Sequence, residues 1–101
     1  MTYKIVVTDT YSLEYEKILK YLTSMLKEKS AAKNLNDEID NIVGLISTNP
    51  NLFGLSLNKE LKKREYHKVT VANYLILYKV QDSKSFLAHI FRQSQDYANL
   101  V

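Results

Sequence analysis

A chain of 101 residues with 46% hydrophobic and 25% charged side chains has the mixture of a folded globular protein and the length of one compact domain. It has no cysteine, which excludes disulfides, thiolate metal sites and cysteine nucleophiles, and its two histidines, His67 and His89, cannot close a structural zinc site without carboxylates. The formal charge of +3 is too small to mark a polyanion-binding protein by itself, and no run of about 18 apolar residues is present to cross a membrane, so one domain over residues 1–101 in the cytoplasm is expected.

Residues Tyr3 to Thr8 alternate Tyr3, Ile5 and Val7 with Lys4, Val6 and Thr8 and are rich in β-branched side chains, which predicts a first strand. From Ser12 the period changes. Tyr15, Ile18, Leu19, Leu22, Met25 and Leu26 fall on one helical face, with Ser12 as N-cap, Glu14 and Glu16 near the positive end of the helix dipole, and Lys27 and Lys29 near the negative end. A second stripe, Ala32, Leu35, Ile39, Ile42, Val43 and Ile46, begins after Ser30 and ends before Pro50, with Asp37, Glu38 and Asp40 on its solvated side. The two stripes read as a helical hairpin.

Residues Ser47 to Asn58, with Asn49-Pro50-Asn51 and Gly54, form the longest irregular piece. The period then becomes two. Tyr66–Val71, Tyr74–Val80 and Phe86–Phe91 alternate, and the short links Ala72-Asn73 and Gln81-Asp82-Ser83-Lys84 predict an antiparallel meander. The expected class is α+β: an N-terminal strand, a two-helix hairpin and a three-stranded antiparallel meander in one small sheet. The hairpin covers one sheet face and leaves the other for a partner.

The charge is concentrated. Lys59-Glu60-Leu61-Lys62-Lys63-Arg64-Glu65-Tyr66-His67-Lys68 carries five basic and two acidic residues, and outside it the signs balance at nine each. Such a run suits a solvated edge. It equally suits phosphate contact through Lys62, Lys63, Arg64 and Lys68, with Lys59 beside them and Tyr66 or Tyr97 available to stack on a base. On the predicted strands His67 shares a side with Val69 and Val71 and His89 one with Leu87 and Phe91, so either suits a hydrogen-bonded residue of the sheet; that reading is favoured for His89, whereas His67, inside the basic run, is placed for proton transfer on a phosphodiester. Glycine-rich phosphate loops, nucleophile elbows and His-Glu-x-x-His motifs are all missing, and the acidic residues do not cluster as a metal site.

The order of elements and three stretches, Glu65-Tyr66-His67-Lys68-Val69, Asn73 to Val80 and His89-Ile90-Phe91-Arg92-Gln93-Ser94-Gln95-Asp96-Tyr97, resemble the RelE/ParE family, toxins of bacterial type II toxin-antitoxin modules. The resemblance implies a cytoplasmic toxin held by a cognate antitoxin, meeting operator DNA only through that antitoxin. RelE-like members cleave mRNA on the ribosome without metal or other cofactor, and this endoribonuclease activity is the expected one. On that reading Lys59, Lys62, Lys63, Lys68 and Gln95 contact RNA phosphates with Arg64. His67 moves a proton, Arg92 stabilises the transition state, and Tyr97 stacks or donates a proton. Two positions depart from the pattern: His67 stands where relatives commonly carry Arg, and Ser94-Gln95-Asp96 stands where they read Arg-Gln-Asp. The alternatives are a ParE-like poison of DNA gyrase with no nuclease activity, and a degenerate toxin that acts with its antitoxin as co-repressor.

Overall fold

A computed structural model describes residues 3–93. Strand β1 (Lys4–Val7) leads into helix α1 (Asp9–Lys20), a π-helical segment (Tyr21–Met25) and helix α2 (Lys29–Thr48). After a loop come the short helix α3 (Lys59–Lys63) and strands β2 (His67–Val71), β3 (Tyr74–Gln81) and β4 (Lys84–Arg92). The α+β class and the antiparallel β2-β3-β4 meander are as expected. The sheet order is β1-β4-β3-β2, with β1 parallel to β4, an arrangement that alternation alone does not specify.

The first helix starts earlier than Ser12. Thr8 is its cap, because its hydroxyl accepts the Tyr11 amide at 3.1 Å while donating to the Leu87 carbonyl at 2.8 Å, tying the helix start to β4. Lys17 and Lys20, not Lys27 and Lys29, occupy its last turn. Widening of the coil over Tyr21–Met25 keeps Leu22 buried but turns Met25, 72% exposed, out of the predicted stripe, and Leu26 with it. Lys27, at φ 53°, then reverses the chain into α2.

Helix α2 buries Ala32, Leu35, Ile39 and Ile46 as the stripe predicts. They pack with Tyr11, Leu22, Val69, Val71, Ile76, Tyr78, Leu87 and Ile90 on one sheet face, where removing this apolar surface from water supplies the main driving force. The opposite face is not left open. Leu61 of α3 and Tyr66 close over Leu75, Leu77 and Phe91 in a second, smaller core.

The Ala72-Asn73 link is the two-residue turn expected, and the second link is tighter than the expected four residues. Asp82 and Ser83 both hold positive φ (52° and 64°), the signature of a type I′ turn, and extend the strands to Gln81 and Lys84; Ala72 holds φ 52° in the other link. Ala88 is a surplus residue: Leu77 pairs with His89 but Tyr78 with Leu87, a β-bulge. Leu87 and Ile90 therefore both face the helices, and His89 shares the second face with Phe91 but not with Leu87.

Candidate functional site

The basic run folds as a capped corner, not as an irregular lead into β2. Asn58 Oδ1 accepts the amides of Glu60 (3.0 Å) and Leu61 (3.2 Å), which starts α3. At the other end the Tyr66 amide donates to the Leu61 carbonyl and the Glu65 amide to the Lys62 carbonyl, with Glu65 at φ 61°. This is a Schellman cap with glutamate in the left-handed position usually given to glycine. Buried Leu61 anchors the helix to the sheet, so Lys59, Lys62, Lys63 and Arg64 project into solvent together.

Tyr66, read as a stacking platform, is buried. Lys79 Nζ lies 4.4 Å from its ring centroid, and the edge of His89 meets it at 6.2 Å. Lys68 pairs with Leu77 in the register and lies on this same face, half-buried.

His67 lies on the other face, with Val69 and Val71. Its Nδ1–H donates to the Phe53 carbonyl at 2.8 Å and its ring stacks on Tyr78 at 4.9 Å. Tyr78 in turn donates its hydroxyl to the Pro50 carbonyl at 2.8 Å. Backbone bonds from Ser56 N to Tyr66 O (2.8 Å) and from Lys68 N to Gly54 O (3.2 Å) complete the attachment of residues 50–56 to the outer edge of β2. His67 thus fastens a loop to the sheet.

Arg92 lies toward the far end of the sheet. It pairs with Tyr74, four β3 residues from the Tyr78 that pairs with His67, a separation of about 13 Å along the strand. It borders a cleft of about 460 Å³ between α1 and β4, together with Glu14, Lys17, Tyr21 and Tyr74. Burial raises the Tyr74 hydroxyl above its ordinary pKa, with Arg92 opposing. The sequence-predicted residues therefore fall in three places: the α3 cations with Lys68, His67 across the sheet, and Arg92 beside α1. Gln95 and Tyr97 lie outside the described residues, as do Ser94 and Asp96.

Two features escape sequence reading. Glu14, assigned there only to a helix dipole, accepts the Ile90 amide at 3.1 Å and faces His89 Nδ1 at 3.3 Å. A second groove, of about 380 Å³, opens between α1 and α2 beside β1; Val7, Tyr15, Leu19, Ile39 and Val43 line it, with Glu16 and Asp40 also present. Tyr11 lies in it with a buried hydroxyl that has no hydrogen-bond partner among the described residues, and burial pushes that hydroxyl's pKa far up. Among the described residues no three His, Asp or Glu side chains gather as a metal site, and no helix is long and apolar enough to cross a membrane.

Residues 5–97 match the family described as ParE toxin of type II toxin-antitoxin system, parDE. The chain belongs to that family. It is thus the toxin side of such a system, and within the broader RelE/ParE resemblance the match is to the ParE branch. Among solved structures, the ParE fold is matched by a chain of the chromosomal ParDE toxin-antitoxin system from P. aeruginosa, at TM-score 0.70 and 14% identity over 90% of this chain and 96% of that one. No curated protein matches in sequence.

Proposed function

We propose that this ParE-family toxin acts on DNA gyrase without cleaving RNA and is silenced by a cognate antitoxin. The separation of His67 from both cationic groups carries the reading. In-line attack of a ribose hydroxyl on its phosphate needs a base, a charge stabiliser and an acid within hydrogen-bond reach of one phosphate. Here His67 is turned to the helix face and bonded to Phe53 O, the α3 cations sit on the opposite face, and Arg92 lies four β3 residues away. A protein that works by binding a large target needs no such convergence.

The antitoxin seat is the α1–α2 groove, where exposed Val7, half-buried apolar side chains and the unpartnered Tyr11 hydroxyl await an amphipathic segment. The α3 cations are what favours mRNA cleavage as a second reading. Purified toxin added to gyrase, and separately to ribosomes carrying mRNA with defined A-site codons, distinguishes them. Loss of supercoiling or accumulation of cleaved DNA complexes with intact mRNA is expected. Cut mRNA with unaffected gyrase would reverse the assignment.

A further inference from the structure

Helix α3 closes over only part of the second sheet face, and the charge of that face has one sign. Lys4 on β1, Lys68 on β2, Lys79 on β3 and Lys84 on β4 give each strand one lysine, and these four strands contain no Asp or Glu. All four lysines lie on the face away from α1 and α2. Each is the chain neighbour of a residue turned to the helices: Ile5, Val69, Tyr78 and Ser85, the last paired with Ile5. The register then sets them in a line. Lys84 pairs with Lys4 on one side and Gln81 on the other; Lys79 stands two residues along β3 from Gln81, and Lys68 pairs with Leu77, two residues further. Each step from β4 to β3 to β2 therefore moves one strand across and two residues along, a diagonal row of about 20 Å over the whole sheet. At its Lys68 end α3 stands on this face, with Leu61 in the same cluster as Leu77 and with Lys62 and Lys63 exposed. The nearest acids in sequence, Asp82 and Glu65, lie outside the strands.

A line of like charges repels itself, and a bound polyanion relieves that repulsion. Lysines in a row fit a ligand whose negative charges recur along a line, which is the chemistry of a phosphodiester backbone. Single-stranded bases find little here to stack on: Tyr66 is buried, with Lys79 Nζ 4.4 Å from its centroid, Phe91 is buried, and Phe86 is half-buried. A lipid surface finds nothing to take up, because the one exposed large apolar side chain among the described strand residues, Val7, lines the α1–α2 groove. We propose that Lys4, Lys84, Lys79 and Lys68 hold the phosphate backbone of duplex DNA, without regard to sequence, across the second face of the sheet. In naming DNA over RNA this rests on the gyrase reading; the lysine row does not.

The test titrates the whole chain into a fluorescent DNA duplex of about 20 base pairs, without gyrase, in a salt series from about 50 to 200 mM. Saturable micromolar binding is expected at the low end, weakening roughly 100-fold across the series as counterions leave the contacted phosphates. Lys4→Gln with Lys84→Gln, both exposed and at the other end of the row from α3, should weaken binding about tenfold at low salt and reduce the salt slope by about two. Lys29→Gln with Lys33→Gln removes the same charge from α2, across the sheet, and should change neither. Circular dichroism verifies that each variant keeps the fold. Absence of binding at low salt overturns the proposal, as does equal weakening by the two pairs, which would make binding a matter of net charge. Tighter binding of a single strand, of duplex RNA or of polyglutamate of equal charge overturns it in favour of that ligand. Because gyrase is absent, this result and that of the gyrase assay can fail separately.

Discussion

The Glu14 carboxylate takes the place of a strand neighbour for Ile90. Beyond Leu87 the outer edge of β4 has outrun β1, and α1 crosses alongside, so the Ile90 amide donates to Glu14 Oε1 at 3.1 Å. The other oxygen faces His89 Nδ1 at 3.3 Å. With the Thr8 hydroxyl on the Ala88 carbonyl at 3.3 Å, the Glu14 carboxylate covers this stretch of sheet edge, which guards against pairing between chains.

Glu14→Ala should therefore cost about 1–3 kcal/mol by leaving the Ile90 amide unsatisfied. Glu14→Gln keeps an acceptor and should cost less. Urea denaturation of both variants checks this, and equal stabilities would show that the carboxylate is not closing the edge.

Ser85→Ala should be neutral or stabilising. Ser85 is fully buried between Ile5 and Val80, and its hydroxyl has no hydrogen-bond partner among the described residues. Removing an unsatisfied buried hydroxyl recovers its desolvation cost, about 1 kcal/mol or more. In a domain of this size that is a rise in melting temperature of about 4–8 °C, readable by calorimetry.

Alkaline pH should unfold the protein through its tyrosines. Burial pushes the Tyr78 hydroxyl from the ordinary 10.0 up to about 12, and raises Tyr11 and Tyr15 as well. The unfolded chain then gives up these protons at lower pH than the folded one. The stability held in this difference is complete below the ordinary value of 10.0 and is lost as pH rises toward about 12. The last part of the phenolate absorbance should appear together with the loss of circular dichroism, and phenolate formation at all eight tyrosines well before unfolding would contradict it.

His67→Asn separates fastening from proton transfer. Asparagine retains a donor for the Phe53 carbonyl but cannot titrate. Toxicity in cells should survive it if His67 only holds the loop. A fall of about 100-fold or more would restore His67 to a catalytic role.

Much of the architecture was legible because period is written locally. The stripe from Ala32 to Ile46 and the alternation after Tyr66 need no partner to be recognised. The choice of partner is another matter: nothing in Lys4–Val7 says that it runs parallel to Lys84–Leu87, and α3 spans too few residues to show a helical period. The Thr8 cap was hidden because its second bond reaches Leu87, 79 residues away. At the site, the charge of Lys59 to Lys68 could be located by counting. That His67 shares a side with Val69 and Val71 follows from the strand period, but the Phe53 carbonyl that engages its ring comes from a loop whose course composition does not fix.

The bulge at Ala88 makes residue count in the last strand a matter of inside and outside. Deleting Ala88 itself would leave Leu87, His89, Ile90 and Phe91 in regular alternation on the faces they already hold, whereas deleting a residue away from the bulge would exchange the faces of everything on one side of the gap. Point substitutions along β4 are graded injuries. A single-codon deletion away from the bulge changes which residues are core, so homologues of this chain should vary in side chain along β4 far more readily than in length, the bulge itself excepted.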